Sequence, residues 1–179
     1  MSSSPQESTV QGSSDFRIST LVFLRNPNGE LLMLKRSKAP NAGKWSPIGG
    51  KLETSQGESP FECAIRETYE ETGFEIQEPD LHLFACVSEK NYENAGHWLM
   101  FLFACNKPLP FLPQKGDEGD FAFFRRSNIE SMDIPRSDKT LVWPLFDEYK
   151  DGGFVVVRAN CSKPDKLQIK IEESNGGHN

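Results

Sequence analysis

The chain has 179 residues, with 20 Lys and Arg against 26 Asp and Glu, and a formal net charge of −6. This length suits one domain with a full core, and 36% hydrophobic residues with 13 Phe exclude a disordered chain or a membrane protein. The acidic balance argues against a general binder of nucleic acids or anionic membranes, since both favour basic surfaces. The acidity is local, because residues 50–80 hold nine acidic and two basic side chains, a balance of −7.

Neither end of the sequence has the features of a folded element. Residues 1–15 have no basic or apolar stretch typical of a signal peptide, and their Ser, Gln and Gly content predicts a disordered tail. Residues 174–179 give the same prediction, which leaves 16–173 as the expected domain. The four cysteines are widely spaced without a CxxC pair, which favours reduced core thiols and a cytoplasmic protein.

The first apolar segments predict a β-hairpin followed by a long loop. Residues 18–25 and 30–36 are rich in β-branched and apolar side chains and flank the turn sequence Asn-Pro-Asn-Gly at 26–29. Residues 37–57 are rich in Gly, Pro, Ser and Asn. A loop of this length inside a compact domain is usually functional.

The clearest helix signal comes directly after this loop. Ser59 is a favourable N-cap, Pro60 suits the first helical position, and Glu62 completes a capping box. Gly73 predicts the C-terminal end. A core-facing stripe with helical spacing consists of Phe61, Ala64, Ile65 and Thr68.

The second half of the chain predicts further strands with a few helices. Strands are expected at 81–88, 97–105, 121–125, 154–159 and 167–173. Ser127 and Glu130 have capping-box spacing and predict a short helix, and a second helix is expected from Ser137 or Asp138 to residue 150, divided at Pro144. Hairpins interleaved with helices, without regular βα alternation, predict an α/β or α+β fold with a mixed sheet.

Three glutamates on the 59–73 helix carry the chemical signal. Glu67, Glu70 and Glu71 are spaced i, i+3, i+4, so their carboxylates gather on one face, and the single Arg66 cannot neutralise them. One interpretation is a solvated acidic face. The other is a site for a hard cation such as Mg²⁺, which prefers oxygen ligands, and the preceding Gly-rich loop favours it.

The segment from Gly50 to Phe74 resembles the Nudix box. Its fixed positions are matched by Glu58, Arg66-Glu67, Glu70-Glu71, Gly73 and Phe74. Two positions depart from the family pattern: seven residues instead of five separate Gly50 from Glu58, and Thr68 stands where an aliphatic residue is usual. The resemblance implies an α/β/α sandwich and Mg²⁺- or Mn²⁺-dependent hydrolysis of a nucleoside diphosphate linked to another group.

The same resemblance implies roles for individual box residues. Arg66 would orient the glutamates by ion pairing, and Glu58 would support the loop or the helix start. The general base is assigned to Glu67, with Glu118 or Asp117 from a distant loop as alternatives. The implied metal ligands are Glu67, Glu70, Glu71 and the carbonyl of Gly50.

Substrate contacts are expected on both sides of the box. Arg36 and Lys51 flank the loop and are candidates for phosphate contacts, with a solvated strand end as the alternative for each. Ser46 follows Trp45, and Asp138 has no neighbouring Asp, which departs from the pattern of oxidised-purine enzymes. Candidates for the base pocket are Trp45, Ser46, Trp98, Phe123, Asp138 and Trp143.

Three functions remain open from the sequence. The first is hydrolysis of a nucleoside triphosphate, an oxidised purine nucleotide among the candidates, to a monophosphate and pyrophosphate; residues 117–173 loosely resemble MutT-like enzymes of that kind. The second is hydrolysis of ADP-ribose or another nucleoside-diphosphate sugar. The third is a nucleotide-sensing module without catalysis, which the three intact box glutamates disfavour. The expected partner is a small nucleotide, with no nucleic acid and no membrane, and the protein is expected to be a monomer or homodimer.

Overall fold

The structure is a computed structural model that describes residues 16–39, 41–92, 96–163 and 166–177. The predicted tail at 1–15 and the last two residues lie outside this range. The strands are β1 (Phe16–Phe23), β2 (Leu31–Arg36), β3 (Trp45–Ser46), β4 (Leu81–Lys90), β5 (His97–Cys105), β6 (Gly119–Phe124), β7 (Phe154–Asn160) and β8 (Gln168–Asn175). The helices are α1 (Pro60–Thr72), α2 (Arg126–Ile129) and α3 (Trp143–Tyr149), with 3-10 turns at Thr54–Gln56 and Glu78–Asp80 and a π-helical turn at Asp138–Val142.

The strands form two sheets. The larger sheet has the order β1-β5-β4-β7-β8, and its pairs alternate between parallel (β1 with β5, β4 with β7) and antiparallel (β5 with β4, β7 with β8). The smaller sheet has the order β3-β2-β6 and is antiparallel. The predicted mixed sheet is confirmed, and two pairs of predicted strands, β4 with β5 and β7 with β8, are antiparallel neighbours in it.

Helices cover both faces of the larger sheet. Because side chains alternate along a strand, Val22 and Leu24 pack with Ala64 of α1 on one face. Phe23 points the other way and packs with Trp143 and Phe146 of α3. The arrangement is therefore the α/β/α sandwich that the sequence predicted.

Helix α1 begins and ends as its sequence predicts. Ser59 Oγ accepts the Glu62 N–H, the Glu62 carboxylate accepts the Ser59 N–H, and Gly73 ends the helix in the left-handed region at φ 71°. Thr68 is buried at the position where an aliphatic residue was expected. Its hydroxyl donates to the Ala64 carbonyl at 2.7 Å, so the substitution leaves no unsatisfied polar group in the core.

The predicted first hairpin is wrong beyond its turn. Backbone bonds from Asn26 N–H to the Glu30 carbonyl and from Leu32 N–H to the Leu24 carbonyl, both 2.9 Å, close the turn. From there β1 joins the larger sheet and β2 joins the smaller one. The reason is that β2 is apolar on both faces. Leu31 and Met33 pack in the core cluster that contains α3, and Leu32 and Leu34 pack in the cluster that contains Ala64 of α1.

Two boundaries in the second half differ from prediction, and the expected division of the second helix is confirmed. The short helix starts at Arg126 rather than at a Ser127 cap, and the Arg126 guanidinium bonds the Asp147 carboxylate of α3 at 2.7 and 2.9 Å. The second helix is divided just before Pro144, where the π-helical turn gives way to α3. Strand β8 extends through Asn175, two residues past the expected domain boundary.

Candidate active site

A cleft of about 630 Å³ runs from α1, past the 48–53 loop, onto the sheet face that carries α3. Ten of the eleven predicted metal, catalytic and substrate-contact residues line it, together with Glu53, Asp117 and Glu89. These ten are Arg36, Ser46, Gly50, Lys51, Arg66, Glu67, Glu70, Glu71, Glu118 and Asp138. The structure therefore brings the predicted residues from five separate segments into one cavity.

The loop before α1 runs along the open edge of β1. Its backbone is held by Val22 N–H to the Ile48 carbonyl at 2.9 Å and Thr20 N–H to the Gly50 carbonyl at 2.9 Å. Gly49 has φ 141°, and a side chain there would overlap the Thr20 carbonyl. A side chain at Gly50 would overlap the Glu67 carboxylate. Both glycines are required because the backbone passes too close to its neighbours for a Cβ atom.

The segment between Gly50 and Glu58 is two residues longer than in the family pattern, and a 3-10 turn accommodates the extra length. Residues Thr54–Gln56 form this turn, and Gly57 closes it in the left-handed region at φ 71°. The turn brings Glu58 back so that its Oε2 accepts the Glu53 N–H at 2.7 Å. The longer loop therefore leaves the position of Glu58 relative to α1 intact.

Arg66 is the centre of an ion-pair network at the mouth of the cleft. Its guanidinium bonds both oxygens of Glu58, at 2.6 and 2.9 Å, and also Glu67 Oε1 at 2.7 Å and Glu70 Oε2 at 3.1 Å. A further bond at 3.1 Å reaches the Lys51 carbonyl. The hydrogen bond from Arg66 lowers the pKa of Glu58, and the carboxylates raise the pKa of Arg66. Arg66 thus ties the loop to the acidic face of α1.

The three box glutamates differ in their environments. Glu70 is 54% exposed and pairs with Arg66, whereas Glu67 and Glu71 are largely buried. Burial raises the pKa of Glu67, and it raises the pKa of Glu71 to about 8 with the nearby Glu67 charge adding to it. A backbone N–H from Gly49 and the charge of Arg36 oppose this rise. Two adjacent carboxyl groups are held where ionisation is costly without a cation.

The donor set fits a divalent ion, although the side chains do not already enclose one. Among the residues that the structure describes, no three His, Cys, Asp or Glu side chains converge tightly enough to hold a metal as they stand. Arg66 occupies Glu67 Oε1 and Glu70 Oε2. Glu71 Oε2, in contrast, is buried and has no hydrogen-bond partner in the described part of the chain. An orphaned carboxylate oxygen beside a second buried carboxyl is the kind of oxygen site that Mg²⁺ or Mn²⁺ takes.

Basic residues and one further acid face α1 across the cleft. Arg36 ends β2, and Lys51 lies in the loop, where its ammonium is 6.0 Å from the Trp98 ring centroid. Glu118 bonds Lys38 at 2.7 Å, and its charge adds to the raised pKa of Glu71. Cations suited to phosphate contacts therefore lie opposite the predicted metal ligands.

Three of the six predicted base-pocket residues line the cleft and three do not. Ser46, Trp98 and Asp138 line it, and burial raises the pKa of Asp138 to about 7. Trp45, predicted to contact substrate, is not among the described residues that line the cleft. Its ring packs edge-on against Phe124, and its backbone N–H donates to the Asp133 carbonyl at 2.9 Å. Phe123 and Trp143 pack in the two core clusters.

The sequence prediction missed Glu89, which lines the cleft from β4 and is only 3% exposed. The expected strand stopped one residue short of it. A signal was present, because Glu89 continues the alternation of Ala85 and Val87, which face the core. An acidic residue at an inward position of a strand is unusual enough to mark a site.

The comparisons with known proteins agree with the geometry. The model of the NUDIX domain family matches residues 15–144, and the chain belongs to this family. An uncharacterised Nudix hydrolase of Bacillus subtilis, YvcI, is 28% identical over 110 residues, which are 61% of this chain and 66% of the relative. The dihydroneopterin triphosphate diphosphatase of Haemophilus influenzae is 26% identical over 63% of this chain and 75% of its own. The GDP-mannose pyrophosphatase of Yersinia enterocolitica is 36% identical over 61 residues, about a third of each chain.

Solved structures have the same fold. The MutT protein of Bacillus halodurans superposes with a TM-score of 0.68 and 20% identity, covering 87% of this chain and 97% of that one. The MutT protein of Methanosarcina mazei gives 0.62 and 25% identity over 75% and 93% of the two chains. Enzymes of this family are pyrophosphohydrolases that act on small nucleotides and generally use divalent ions. In the described part of the chain, the helices are too short or too polar to cross a membrane.

Proposed function

We propose that this protein is a Mg²⁺- or Mn²⁺-dependent pyrophosphohydrolase that cleaves a nucleoside triphosphate to a monophosphate and pyrophosphate. The observation that carries the proposal is the pair of buried carboxyl groups on α1. Glu71 has an orphaned oxygen and a pKa raised to about 8, and Glu67 lies beside it against the α-carbon of Gly50. Two carboxyl groups in this position destabilise the folded protein when they ionise without a metal, and a bound cation would compensate their charge.

In this proposal Glu67, Glu70, Glu71 and the Gly50 carbonyl hold the metal. When bound, it would screen the polyphosphate charge and lower the pKa of a bound water. The Gly50 carbonyl accepts the Thr20 N–H at 2.9 Å and the Cys63 thiol at 3.8 Å, and these two contacts fix its direction. Arg66 positions Glu67 through the 2.7 Å bond.

The remaining residues bind substrate and move the proton. Glu67 is the proposed general base that takes the proton from the attacking water, and Glu118, 40% exposed on the opposite wall, is the alternative. Arg36 and Lys51 contact the phosphates. Ser46 and Asp138 face the base; Trp45 is left out because its ring packs on Phe124 instead of lining the cleft.

A nucleoside-diphosphate sugar is the second candidate substrate. The relative named GDP-mannose pyrophosphatase supports it, and the NUDIX domain of Shewanella oneidensis NrtR, with a TM-score of 0.58, was solved with ADP-ribose. The relative named dihydroneopterin triphosphate diphosphatase covers more of this chain and supports a triphosphate. All three box glutamates are present, which disfavours a sensing module without catalysis.

A product-resolved screen tests the proposal. Nucleoside triphosphates, their 8-oxo forms, ADP-ribose and sugar nucleotides are incubated with the protein and Mg²⁺ or Mn²⁺, and products are separated by ion-exchange chromatography. Monophosphate with pyrophosphate is expected, and chelation with EDTA should abolish it. Two monophosphates from a sugar nucleotide would instead support the second candidate. Tight binding without turnover of any compound would contradict both.

A further inference from the structure

A second cavity of about 630 Å³ lies outside the proposed active site, where β4 ends and β5 begins. It has no lining residue in common with the active-site cleft. Its lining includes Lys90, His97, Arg158 and Lys170, and none of the described residues that line it is acidic. We call this cavity the basic groove. A cationic cavity is a local departure in a chain whose net charge is −6.

The strand register places the basic groove on an open part of the larger sheet. Arg158 of β7 pairs with Lys170 of β8. Two residues along β7, Asn160 pairs with Lys90 of β4 and with Gln168 of β8. The alternate residues of β7 pack in the core cluster that contains α3, so these five side chains project from the other face of the sheet. The groove therefore faces away from α3.

The cations of the basic groove are only partly compensated. Arg158 and Lys170 lie directly opposite one another, and like charges in such a pair destabilise a sheet. Arg158 pairs with Glu172 at 3.4 Å, and the two side chains are 60% and 41% exposed. Lys90 and Lys170 have no ion pair within the part of the chain that the structure describes. Positive charge gathered in a cavity without counter-charges indicates an anionic ligand.

Aromatic rings lie at the other end of the basic groove. His97 of β5 pairs with Phe16 of β1, and their ring centroids are 5.3 Å apart. Phe16 is 55% exposed, so its ring offers a surface on which a base can stack. Two to three strand spacings, about 10–14 Å, separate Phe16 from Lys90 and Arg158. This span is comparable with the distance from the base of a nucleotide to its terminal phosphate.

We propose that the basic groove is a second nucleotide-binding site, with the base against Phe16 and the phosphates against the three cations. Its volume suits a single small molecule, since ligand pockets are typically about 300–1,000 Å³. The ligand is a free nucleotide rather than a nucleic-acid strand, because a net charge of −6 repels a long polyanion. The three glutamates of α1 line the other cavity, so binding in the groove needs neither the metal site nor hydrolysis.

Titration of the full chain with ADP in EDTA, followed by nuclear magnetic resonance, is the primary test. Without a divalent ion, the glutamates of α1 repel phosphates, so binding at the active site is weakened. We expect the backbone amide signals of Phe16, His97 and Lys170 to shift until saturation. Shifts confined to the active-site loop around Gly50, or no shifts at all, would overturn the inference.

Parts of the ligand and a longer strand identify what the groove recognises. Adenosine lacks the phosphates and inorganic pyrophosphate lacks the base, so each should bind about tenfold or more weakly than ADP. Equal affinity for pyrophosphate and ADP would overturn the assignment of a nucleotide and leave only an anion site. Binding of a single-stranded oligoadenylate at least tenfold more tightly than ADP would contradict a free nucleotide and favour a nucleic acid.

Two variants remove the two kinds of contact separately. Lys170→Gln should weaken ADP binding about 3- to 10-fold, the range for one hydrogen bond at an exposed site. Phe16→Leu should weaken it about fivefold or more through lost stacking. Lys139→Gln is the matched control, because Lys139 is an exposed lysine outside the lining of both cavities. Wild-type affinity in both groove variants would overturn the inference. Because binding is measured without metal or turnover, failure of the proposed hydrolysis would leave this result unaffected.

Discussion

The two ends of the cleft are built in different ways. At the α1 end, Arg66 joins Glu67 and Glu70 of its own helix and Glu58 of the loop before it into a network of hydrogen bonds between 2.6 and 3.1 Å. At the far end, Ser46, Glu89 and Asp138 come from β3, β4 and the turn before α3. The first end depends on charge compensation within a short segment, whereas the second depends on burial that only the tertiary fold creates.

The difference is also visible in the electrostatics. Arg66 pairs directly with Glu58, Glu67 and Glu70, so the partial compensation of the acidity at this end comes from within the helix and its loop. Asp138 has a pKa raised to about 7 because burial outweighs the hydrogen bond from Ser137 and the charge of Lys44, both of which lower it. At the α1 end, a single substitution removes a charge on which the neighbouring charges depend. At the far end, the buried polar groups are expected to affect activity only through contacts with a bound ligand.

Removing the charge of Glu67 is the most damaging change expected at the α1 end. Glu67→Gln keeps the shape of the side chain but removes a metal ligand and the proposed base. We expect kcat to fall about 10²- to 10⁴-fold, the range for losing a general base. Steady-state assays of pyrophosphate release measure this. Glu173→Gln on exposed β8 serves as the control, and circular dichroism should show both variants folded. Activity within tenfold of the wild type would refute the assignment of Glu67.

Breaking the Arg66 network should have the largest effect on stability. Arg66 is 23% exposed and Glu58 10%, so Arg66→Met leaves partly buried carboxylates without their partner. The free energy of unfolding should fall by about 2–3 kcal/mol, measured by urea titration. Arg158→Met is the matched control, because its pair with Glu172 is exposed on both sides and should cost less than about 1 kcal/mol. Equal losses in the two variants would show that the network contributes no more than a surface pair.

The α1 end was predictable from sequence because its determinants are local. Ser59, Pro60 and Gly73 define the ends of the helix through capping rules that need no tertiary contact. Helical periodicity then places Glu67 and Glu71 on a common face. The α/β/α sandwich could also be predicted, because this segment resembles the Nudix box.

The far end and the β1–β2 connection depend on contacts between distant residues. A turn sequence predicts a hairpin, but it does not reveal that β2 is covered on both faces and leaves for a second sheet. Trp45 looked like a ligand contact because of its place in the loop, whereas the contact with Phe124 is set by pairing of β2 with β6. Glu89 was missed because its burial arises from β5 and β7 on either side.

The buried carboxyl of Glu71 should make apo stability depend on pH. Its folded pKa of about 8 lies above the unfolded value of about 4.3, so between these values the folded state holds a proton that the unfolded state has lost. The contribution of this group to stability therefore decreases as pH rises from about 4.5 to 8. Glu71→Gln removes the titration, and in EDTA its melting temperature relative to wild type should be about 2–4 °C higher at pH 8.5 than at pH 5. A difference independent of pH would contradict the burial of the charge.

The smallest effect expected is that of Glu118, which decides between the two candidates for the general base. Its ion pair with Lys38 is 2.7 Å long but 40% and 56% exposed on its two sides, so removing it should change stability by less than about 1 kcal/mol. If Glu67 takes the proton, Glu118→Gln should reduce kcat less than about tenfold, through the altered charge facing Glu71. Asp120→Asn, two residues further along the chain and outside the lining of the cleft, is the control for an exposed ion pair in the same region. A loss of about 10²-fold or more in Glu118→Gln alone would contradict Glu67 as the base and favour Glu118 on the opposite wall, since a loss of that size is typical of removing a general base.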